Sequence, residues 1–563
     1  MSLFVDFITR NVAKPWFGFA TALAASVLTI AIPIYVHGFR ETMDMRSHLS
    51  FAHAFQSAFR AGEVYPGWSN DNLGFGSVGA RFYPPLPAFL SAVFELGTGD
   101  WHLAYSLNLF LWMLAGGFGM FLFIREWGPP FAGIFAAVLY TVVPYHIAEI
   151  YRFFLYAEFA GMAVLPFCFL YLTRLCRRGN WKDVIPLAIS SSILVLTHIP
   201  ITLMMALTAL VYVPLVIDRS RWKKISLRLA TAAAIVVAAT AFFWLPVATE
   251  VLWVAHSNPQ FTVAGYEHGP MLFPYMLVDY DTTYMLSYLR HFDIVTVLTM
   301  GLLIPAIALL IIGRRDPQGS SRQVMAAATL SAGLGIFLFS KPSAFLWTNV
   351  ELLQRLQYPW RWLSIVSVLS VASIALALAS LVEQKRVMLR RGVYCAVLLL
   401  VGFASVDIRQ IRSTPFAISA DRFNQLAKEV ESEKVADHWW PVWAKAAAFD
   451  NSELVTAAGR EVQLESWEKD RRVFRVGEGE PVTVRIATFY YPHWQAKVNG
   501  SPVEVGKADD GTITIPVGKE SSKIEIRFEE PARNRVSAVV SLIVSILMGA
   551  ALLFSFLRKP ASK

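Results

Sequence analysis

The strongest constraint on this chain is a series of apolar segments between residues 15 and 409, most of them close to the length that a membrane-crossing helix needs. About 20 apolar residues in a helix cross the roughly 30 Å hydrocarbon core of a bilayer. Of the 563 residues, 55% are hydrophobic and only 16% are charged, whereas a soluble protein of this size exposes more charge. The sequence therefore predicts a polytopic α-helical membrane protein.

Twelve segments qualify as predicted transmembrane spans. They are 15–37, 103–125, 129–146, 157–175, 183–197, 199–217, 226–248, 292–313, 322–341, 358–381, 391–409 and 535–557. Segment 84–98 is ambiguous because it is short and begins with Pro-Pro-Leu-Pro. If it does not cross, the basic loops and the N-terminal Arg10 and Lys14 share one side, as the positive-inside rule requires. We therefore predict both termini in the cytoplasm and 84–98 at the outer interface.

This topology divides the chain into three parts. Residues 1–409 form a transmembrane domain with a long first external loop at 38–102, and residues 535–563 form the last span and a cytoplasmic tail. A further external loop, predicted at 249–291, is rich in tyrosine and holds Glu267, His268, Asp279 and Asp281. Between the transmembrane domain and the last span, 410–534 is soluble in composition, and its second half alternates polar and apolar residues as strands do. Hairpin signals stand at Asn499-Gly500 and Asp510-Gly511. We expect an extracytoplasmic β-rich domain there.

Charge and cysteine usage exclude other classes. The net charge of +9 comes from Lys and Arg in short loops between apolar segments, so it does not indicate nucleic-acid binding. Cys168, Cys176 and Cys395 lie within or beside apolar segments, without metal-ligand spacing.

The first external loop carries Glu41, Asp44 and His48 beside an aromatic helix face. Ionisable residues next to an apolar face are expensive in membrane proteins and usually serve function. A partly desolvated Asp44 suits a general base or a metal ligand. Alternatively, Asp44 only caps the helix or complements its dipole. The residues alone leave both readings open.

The sequence that follows resembles the first external loop of the GT-C glycosyltransferases, polytopic enzymes that take sugars from polyprenyl-phosphate donors. The resemblance is carried by Gly62-Glu63-Val64-Tyr65-Pro66-Gly67-Trp68, Gly74-Phe75-Gly76 and Tyr83-Pro84-Pro85-Leu86. It implies that Asp44 is the catalytic base or a metal-associated residue, with His48 close by, and that Tyr83 opens a second juxtamembrane helix at the substrate site. Many members show a tight Asp-x-Asp or Glu-x-Asp pair, whereas Glu41 and Asp44 are three apart. This spacing still predicts that the two acids lie within reach of each other on one helix, and a metal role stays open.

Further motifs resemble a bacterial subgroup, the 6-pyruvoyl-tetrahydropterin synthase-related membrane proteins near the YfhO-like branch. They are Pro144-Tyr145-His146, Tyr151-Arg152 to Glu158, Gln357-Tyr358-Pro359-Trp360-Arg361-Trp362, and Tyr490-Tyr491-Pro492-His493-Trp494 before Val498-Asn499-Gly500. The sequence shows no zinc-ligand cluster that pterin chemistry would need.

The second external turn holds His146, Glu149, Arg152 and Glu158 within thirteen residues. The resemblance implies that this turn faces the first loop, where either acid orients the acceptor or assists a metal. Arginine at a helix end often only snorkels, so a structural role is the alternative.

A lipid-phosphate leaving group needs a cation at the outer interface. Arg152 and Arg361 are the predicted candidates, with Arg355 and Lys341 behind them. His198, in a turn between two spans, either lines the cavity or is structural.

The resulting hypothesis is a membrane glycosyltransferase of a bacterial inner membrane. It would pass a sugar from a polyprenyl-phosphate donor to an extracytoplasmic glycan, lipid or protein acceptor, with Asp44 as base. Its partners would be donor, acceptor and membrane lipids, and no cofactor is predicted apart from a divalent cation, if any, at Asp44. A transporter or flippase and a non-catalytic envelope-assembly scaffold remain the alternatives.

Overall fold

The fold is largely helical up to residue 410 and β-rich before one final helix. A computed structural model of the chain describes residues 11, 14–258, 272–274, 283–312, 320–383, 387–410, 417–432, 434 and 437–557. The helices are Pro15–Ser26, Ile32–His37, Met43–Arg60, Gly79–Phe82, Pro85–Thr98, Trp101–Trp127, Pro130–Thr141, Pro144–Ala148, Tyr156–Arg178, Val184–Thr197, Ile199–Val216, Trp222–Ala239, Ala241–Glu250, Thr283–Ile312, Ser320–Leu338, Ala344–Asn349, Glu351–Gln354, Trp362–Glu383, Val387–Gln410, Ala420–Ser432 and Ala532–Leu557. Two π-helical turns, Val27–Ala31 and Glu149–Phe153, extend neighbouring helices.

Eight helices within the described residues are long and apolar enough to cross a membrane. They are Pro15–His37, Trp101–Trp127, Pro130–Phe153, Tyr156–Arg178, Ile199–Val216, Arg290–Ile311, Pro359–Glu383 and Ala532–Ser555. A ninth crossing is possible by length if the helices on either side of Thr240, bent by 73°, form one broken span. The membrane class is confirmed, and the count of twelve stays a prediction.

Three other predicted spans are helical but do not meet the criteria of length and hydropathy. Helix Val184–Thr197 has only 14 residues, which cover about 21 Å at 1.5 Å per residue. Ser320–Leu338 begins with the polar run Ser-Ser-Arg-Gln, and Val387–Gln410 carries Arg390, Arg391 and Arg409.

The predicted loop 249–291 is partly helical, which corrects the sequence analysis. Helix Thr283–Ile312 begins well before the predicted start at residue 292. Arg290, His291 and Asp293 interrupt the apolar pattern, but none of them breaks a helix. Hydropathy therefore marked where the apolar run begins and missed the start of the helix.

Segment 84–98 forms helix Pro85–Thr98, which is too short for a span. Proline occupies its first helical turn, where a missing N–H costs nothing. The Asn108 amide donates to the Pro87 carbonyl at 3.1 Å and to the Ser91 hydroxyl at 2.9 Å, so the short helix is held against Trp101–Trp127. Its interfacial position stays a prediction.

The central helix is Trp362–Glu383, which is buried along nearly all its length. It is apolar around its whole circumference, as expected for a helix surrounded by others. Small side chains let its neighbours approach closely, and Ser373 shares a hydrogen bond of 2.6 Å with Thr329. This helix carries Ser364 and follows Arg361, so it fixes one side of the candidate site.

The C-terminal region is a β-sandwich whose strands are β3 Val455–Thr456, β4 Val462–Trp467, β5 Arg471–Val476, β6 Val482–Phe489, β7 Trp494–Val498, β8 Ser501–Val503, β9 Gly506–Lys507, β10 Thr512–Val517 and β11 Ser522–Phe528. They form two antiparallel sheets, in the orders β3-β6-β10-β9 and β4-β5-β11-β7-β8. Both predicted hairpin turns are present, and Asn499 and Gly500 have the positive φ angles of 49° and 81° that a type I′ turn requires. The β-rich domain is confirmed.

The first loop and the C-terminal region are joined directly. Strand β1, Phe39–Arg40, pairs with β2, Ala417–Ile418, in a two-stranded antiparallel sheet. Just beyond β2, Phe423 is fully buried and its ring lies 4.8 Å from Phe39 and 5.5 Å from Tyr105. The loop that carries Asp44 therefore packs against the C-terminal region.

Candidate active site at the first loop

The helix Met43–Arg60 presents Asp44 and His48 from successive turns. Thr42 precedes it in an extended conformation, and its hydroxyl donates to the Phe153 carbonyl at 2.9 Å, which ties the helix start to the second turn. Asp44 is accessible to solvent, whereas His48 is buried. The first loop therefore offers one accessible carboxyl next to a buried imidazole.

Glu158 forms the buried centre of the site. One carboxyl oxygen accepts hydrogen bonds from the Tyr145 hydroxyl at 2.9 Å and the Ser364 hydroxyl at 2.7 Å. The other faces the Nε of Arg361 at 3.4 Å, and only 2% of the Glu158 side chain is exposed. A buried carboxylate needs such partners, because its desolvation is otherwise very costly.

Arg361 is held in place from three sides. Besides Glu158, its Nη1 donates to the Leu356 carbonyl at 3.0 Å, and its guanidinium lies 5.3 Å from the centre of the Tyr358 ring. Among the residues that the structure describes, its Nη2 has no hydrogen-bond partner. The side chain is 15% exposed, so Arg361 is a fixed, partly accessible cation with a spare donor.

Asp44 interacts electrostatically with Arg361. Although Asp44 keeps a solvent-exposed surface, the protein packed around it displaces part of its water and raises the pKa of its carboxyl, and the Arg361 guanidinium partly opposes that rise. Burial and the nearby Asp44 also raise the pKa of Tyr83, so its hydroxyl stays protonated. The site therefore combines a proton acceptor, Asp44, a hydrogen-bond donor, Tyr83, and a cation, Arg361.

His48 lies among aromatic rings rather than opposite a charge. Its ring contacts Tyr83 edge-on at 5.7 Å and Tyr156 at 5.4 Å. Burial lowers the pKa of His48 to about 3, so the imidazole is neutral at physiological pH. This environment makes Asp44 the better proton acceptor of the two.

We expect His48 to make the protein sensitive to acid. A histidine whose pKa is depressed to about 3 in the fold takes up its proton in the unfolded chain below about pH 6.5. Stability is therefore fully present above pH 6.5 and falls toward pH 3, at up to about 1.4 kcal/mol per pH unit. His48→Phe should flatten the dependence of the melting temperature on pH over this window, and equal slopes in both proteins would contradict the assignment.

The second turn also buries Glu149 and His146. The π-helical turn Glu149–Phe153 ends at Phe154, whose positive φ of 53° breaks the helix before Tyr156. Within the described residues, both carboxyl oxygens of Glu149 are buried without a hydrogen-bond partner. His146 uses Nδ1 to bond the Tyr140 carbonyl at 2.9 Å. π-Helical turns are frequent at functional sites, which fits this placement.

Other predicted residues stand apart from this centre. Glu41 forms an ion pair of 3.1 Å with Arg46, and because the helix begins at Met43 it does not share a helix with Asp44. Arg152 is half-buried in the π-helical turn, and the arginine that pairs with Glu158 is Arg361. His198 caps the helix Ile199–Val216 and lies within electrostatic range of Arg361 and His48, so its role at the site stays a prediction.

Neither of the other two predicted cations, Arg355 and Lys341, forms an ion pair with Glu158 in the described part of the chain. Arg355 is 58% exposed and pairs with Glu351, and Lys341 is half-buried. Glu267, His268, Asp279 and Asp281 lie outside the described residues. Within the described part of the chain, no three His, Cys, Asp or Glu residues are arranged to hold a metal ion. Asp44 lies within electrostatic range of both the Arg361 guanidinium and the Glu158 carboxyl.

Sequence reasoning missed several members of the site. Ser364 follows Arg361 by three residues, about one helical turn, a spacing that could have identified it. Trp439, from the C-terminal region, meets Tyr83 at 6.0 Å and Phe51 at 5.5 Å, a contact between distant segments that no local pattern predicts.

The family of the chain follows from a match over residues 80–413, more than half of its length, to a family model described as a 6-pyruvoyl-tetrahydropterin synthase related domain of membrane proteins. The chain belongs to this family. A search of curated proteins finds no match.

Three solved structures resemble the chain at low similarity. The arabinofuranosyltransferase AftD from Mycobacteria has 15% identity and a TM-score of 0.42, with coverage of 74% of this chain and 28% of AftD. The oligosaccharyltransferase AglB from Archaeoglobus fulgidus, in complex with an inhibitory peptide and a dolichol-phosphate, has 13% identity and a TM-score of 0.37, with 79% and 57% covered. ArnT from Cupriavidus metallidurans, bound to undecaprenyl phosphate, has 12% identity and a TM-score of 0.25, with 66% and 79% covered. The chain thus spans about a quarter of the first and little more than half of the second.

Proposed function

We propose that this protein is an integral-membrane glycosyltransferase that passes a sugar from a polyprenyl-phosphate donor to a hydroxyl-bearing acceptor. The observation that carries the proposal is the accessible Asp44 carboxyl within electrostatic range of Arg361, a cation anchored to buried Glu158. Glycosyl transfer from a lipid phosphate needs a base for the incoming hydroxyl and a cation for the outgoing phosphate. The resemblance of the first loop to GT-C enzymes supports the same reaction.

In the proposed reaction, Asp44 takes the proton of the acceptor hydroxyl as its oxygen attacks the anomeric carbon. The bond from that carbon to the phosphate oxygen breaks, and its electron pair leaves with the polyprenyl phosphate. In this proposal, the Nη2 of Arg361 donates to the departing phosphate and stabilises its charge. The protonated Tyr83 hydroxyl and the neutral His48 can donate hydrogen bonds to the sugar or the acceptor.

We place the site on the extracytoplasmic side. Glu158 lies near the start of helix Tyr156–Arg178, and Arg174, Arg177 and Arg178 lie at its other end. A helix of 23 residues is about 35 Å long, so the two groups belong to opposite membrane faces. The basic end is cytoplasmic under the positive-inside rule. A lipid-borne donor would suit a compartment that lacks nucleotide sugars.

Binding of the lipid phosphate tests the proposal and requires no acceptor. Purified protein in detergent would be mixed with polyprenyl phosphate or the matching polyprenol, and retained lipid would be detected by native mass spectrometry. We expect the protein to retain polyprenyl phosphate and not the matching polyprenol. Equal retention of both lipids, or of neither, would contradict the proposed donor class.

A further inference from the structure

A second buried ionic group lies outside the proposed active site, and Arg81 is its centre. Arg81 donates through Nε to Glu250 at 3.0 Å and through Nη2 to Glu530 at 2.8 Å, and Nη1 also bonds Glu530. The Arg81 side chain is 2% exposed, Glu250 is fully buried, and Glu530 is 32% exposed. Arginine that binds carboxylates on two sides in this way is strongly oriented.

The C-terminal region supplies most of the remaining partners. Glu250 also accepts from Arg533 at 2.9 Å, from Asn534 at 2.9 Å and from the Tyr491 hydroxyl at 3.1 Å. Two guanidinium groups therefore balance two carboxylates. Although burial opposes ionisation, the hydrogen bond and charge of Arg81 hold the pKa of Glu530 below its usual range. The group is thus a charged junction among the first loop, the bent helix Ala241–Glu250 and the start of the last helix.

This junction anchors the segment 79–83, which carries Tyr83, through Arg81. Arg81 belongs to helix Gly79–Phe82, a single turn of four residues, and such a short helix is not stable without packing. At its start, Trp439 lies so close that a Cβ on Gly79 would be 2.9 Å from the Trp439 Cβ. At its end, the Trp439 ring meets Tyr83 at 6.0 Å. Two separate parts of the C-terminal region therefore hold residues 79–83.

We propose that Glu530 is a positioning residue that fixes Tyr83 in the active site through Arg81. The C-terminal region thus acts as part of the site's framework, in addition to any contact it makes with an acceptor. This inference rests on the proposed function, because Tyr83 matters for catalysis only if the first loop is the active site. The link itself can be tested without activity.

The test compares Glu530→Gln with Glu529→Gln in the full-length protein. Glu529 is the neighbouring residue, carries the same charge and is exposed, so it is a matched control. A 3-fluorotyrosine label at position 83 reports its surroundings by ¹⁹F NMR, and the melting temperature reports folding. We expect Glu530→Gln to shift or broaden this resonance and to lower kcat roughly 10-fold, with little change in KM, because a small misplacement of a positioned group is costly. Glu529→Gln should leave all of these unchanged.

The outcomes separate the two proposals. A folded Glu530→Gln protein with the wild-type resonance would overturn the positioning role, whatever its activity. A shifted resonance with wild-type kcat in an active enzyme would also overturn it. If the wild type transfers no sugar, the proposed function fails, while the resonance still decides whether Glu530 orients Tyr83. If Glu530→Gln is not recovered folded, Glu530→Asp, which keeps the charge but shortens the reach, is measured in the same way.

Discussion

Asp44→Asn should reduce sugar transfer by roughly 10²-fold or more, with the loss in kcat, because the amide cannot accept the acceptor's proton. The change keeps the shape of the side chain, and Asp44 is solvent-accessible, so the fold should survive. In the wild type, transfer should decline as the pH falls through the raised pKa of Asp44, since only the ionised carboxylate can act as base. The measurement is transfer of a labelled sugar by purified protein at several pH values.

The matched control for this change is Asp421→Asn. Asp421 also lies in the first turn of a helix, Ala420–Ser432, and is exposed. Both changes remove a carboxylate that complements a helix dipole, an effect of typically 0.3–1 kcal/mol. Equal behaviour of the two variants would therefore mean that Asp44 serves only the helix, and activity that survives Asp44→Asn would remove it from the mechanism.

Arg361→Gln should impair both transfer and stability. Loss of the cation that faces the leaving phosphate should lower kcat by roughly 10²- to 10³-fold. The same change leaves Glu158 buried without its charge partner, and breaking a buried pair typically costs about 3–5 kcal/mol. Transfer assays and thermal unfolding measure the two effects separately. Arg355→Gln, which removes an exposed arginine paired to Glu351, should change neither by a comparable amount.

A double variant distinguishes the two roles of Arg361. Glu158→Gln combined with Arg361→Gln replaces the buried ion pair by two neutral amides, so it should recover much of the lost stability. Transfer should not return, because no cation faces the phosphate. Full recovery of transfer in the double variant would show that Arg361 only neutralises Glu158.

Local patterns in the sequence were sufficient for the parts of the fold that depend on near neighbours. The alternation of apolar residues and the Asn499-Gly500 turn identified the strands around them, and the length of 84–98 predicted a helix too short to cross. The prediction that Glu41 and Asp44 share one helix was wrong, because the helix begins only at Met43.

Contacts between distant segments could not be predicted from local patterns in the sequence. Glu158 and Ser364 are 206 residues apart and meet only because helices Tyr156–Arg178 and Trp362–Glu383 pack together. Sequence could mark Glu158 and Arg361 as charges at apolar boundaries, yet it could not pair them. Arg81 and Glu530 are 449 residues apart, and their link requires the whole C-terminal region to fold back on the first loop.

The most direct test of the account is transfer of label from a panel of polyprenyl-phosphate sugars by the purified wild-type protein in lipid, offered a mixture of glycan, lipid and peptide acceptors. We predict transfer from at least one lipid-phosphate donor and none from the corresponding nucleotide sugars. Folded protein that neither binds nor uses any of these lipid donors would contradict the glycosyltransferase assignment, and it would favour a transporter or an envelope-assembly scaffold.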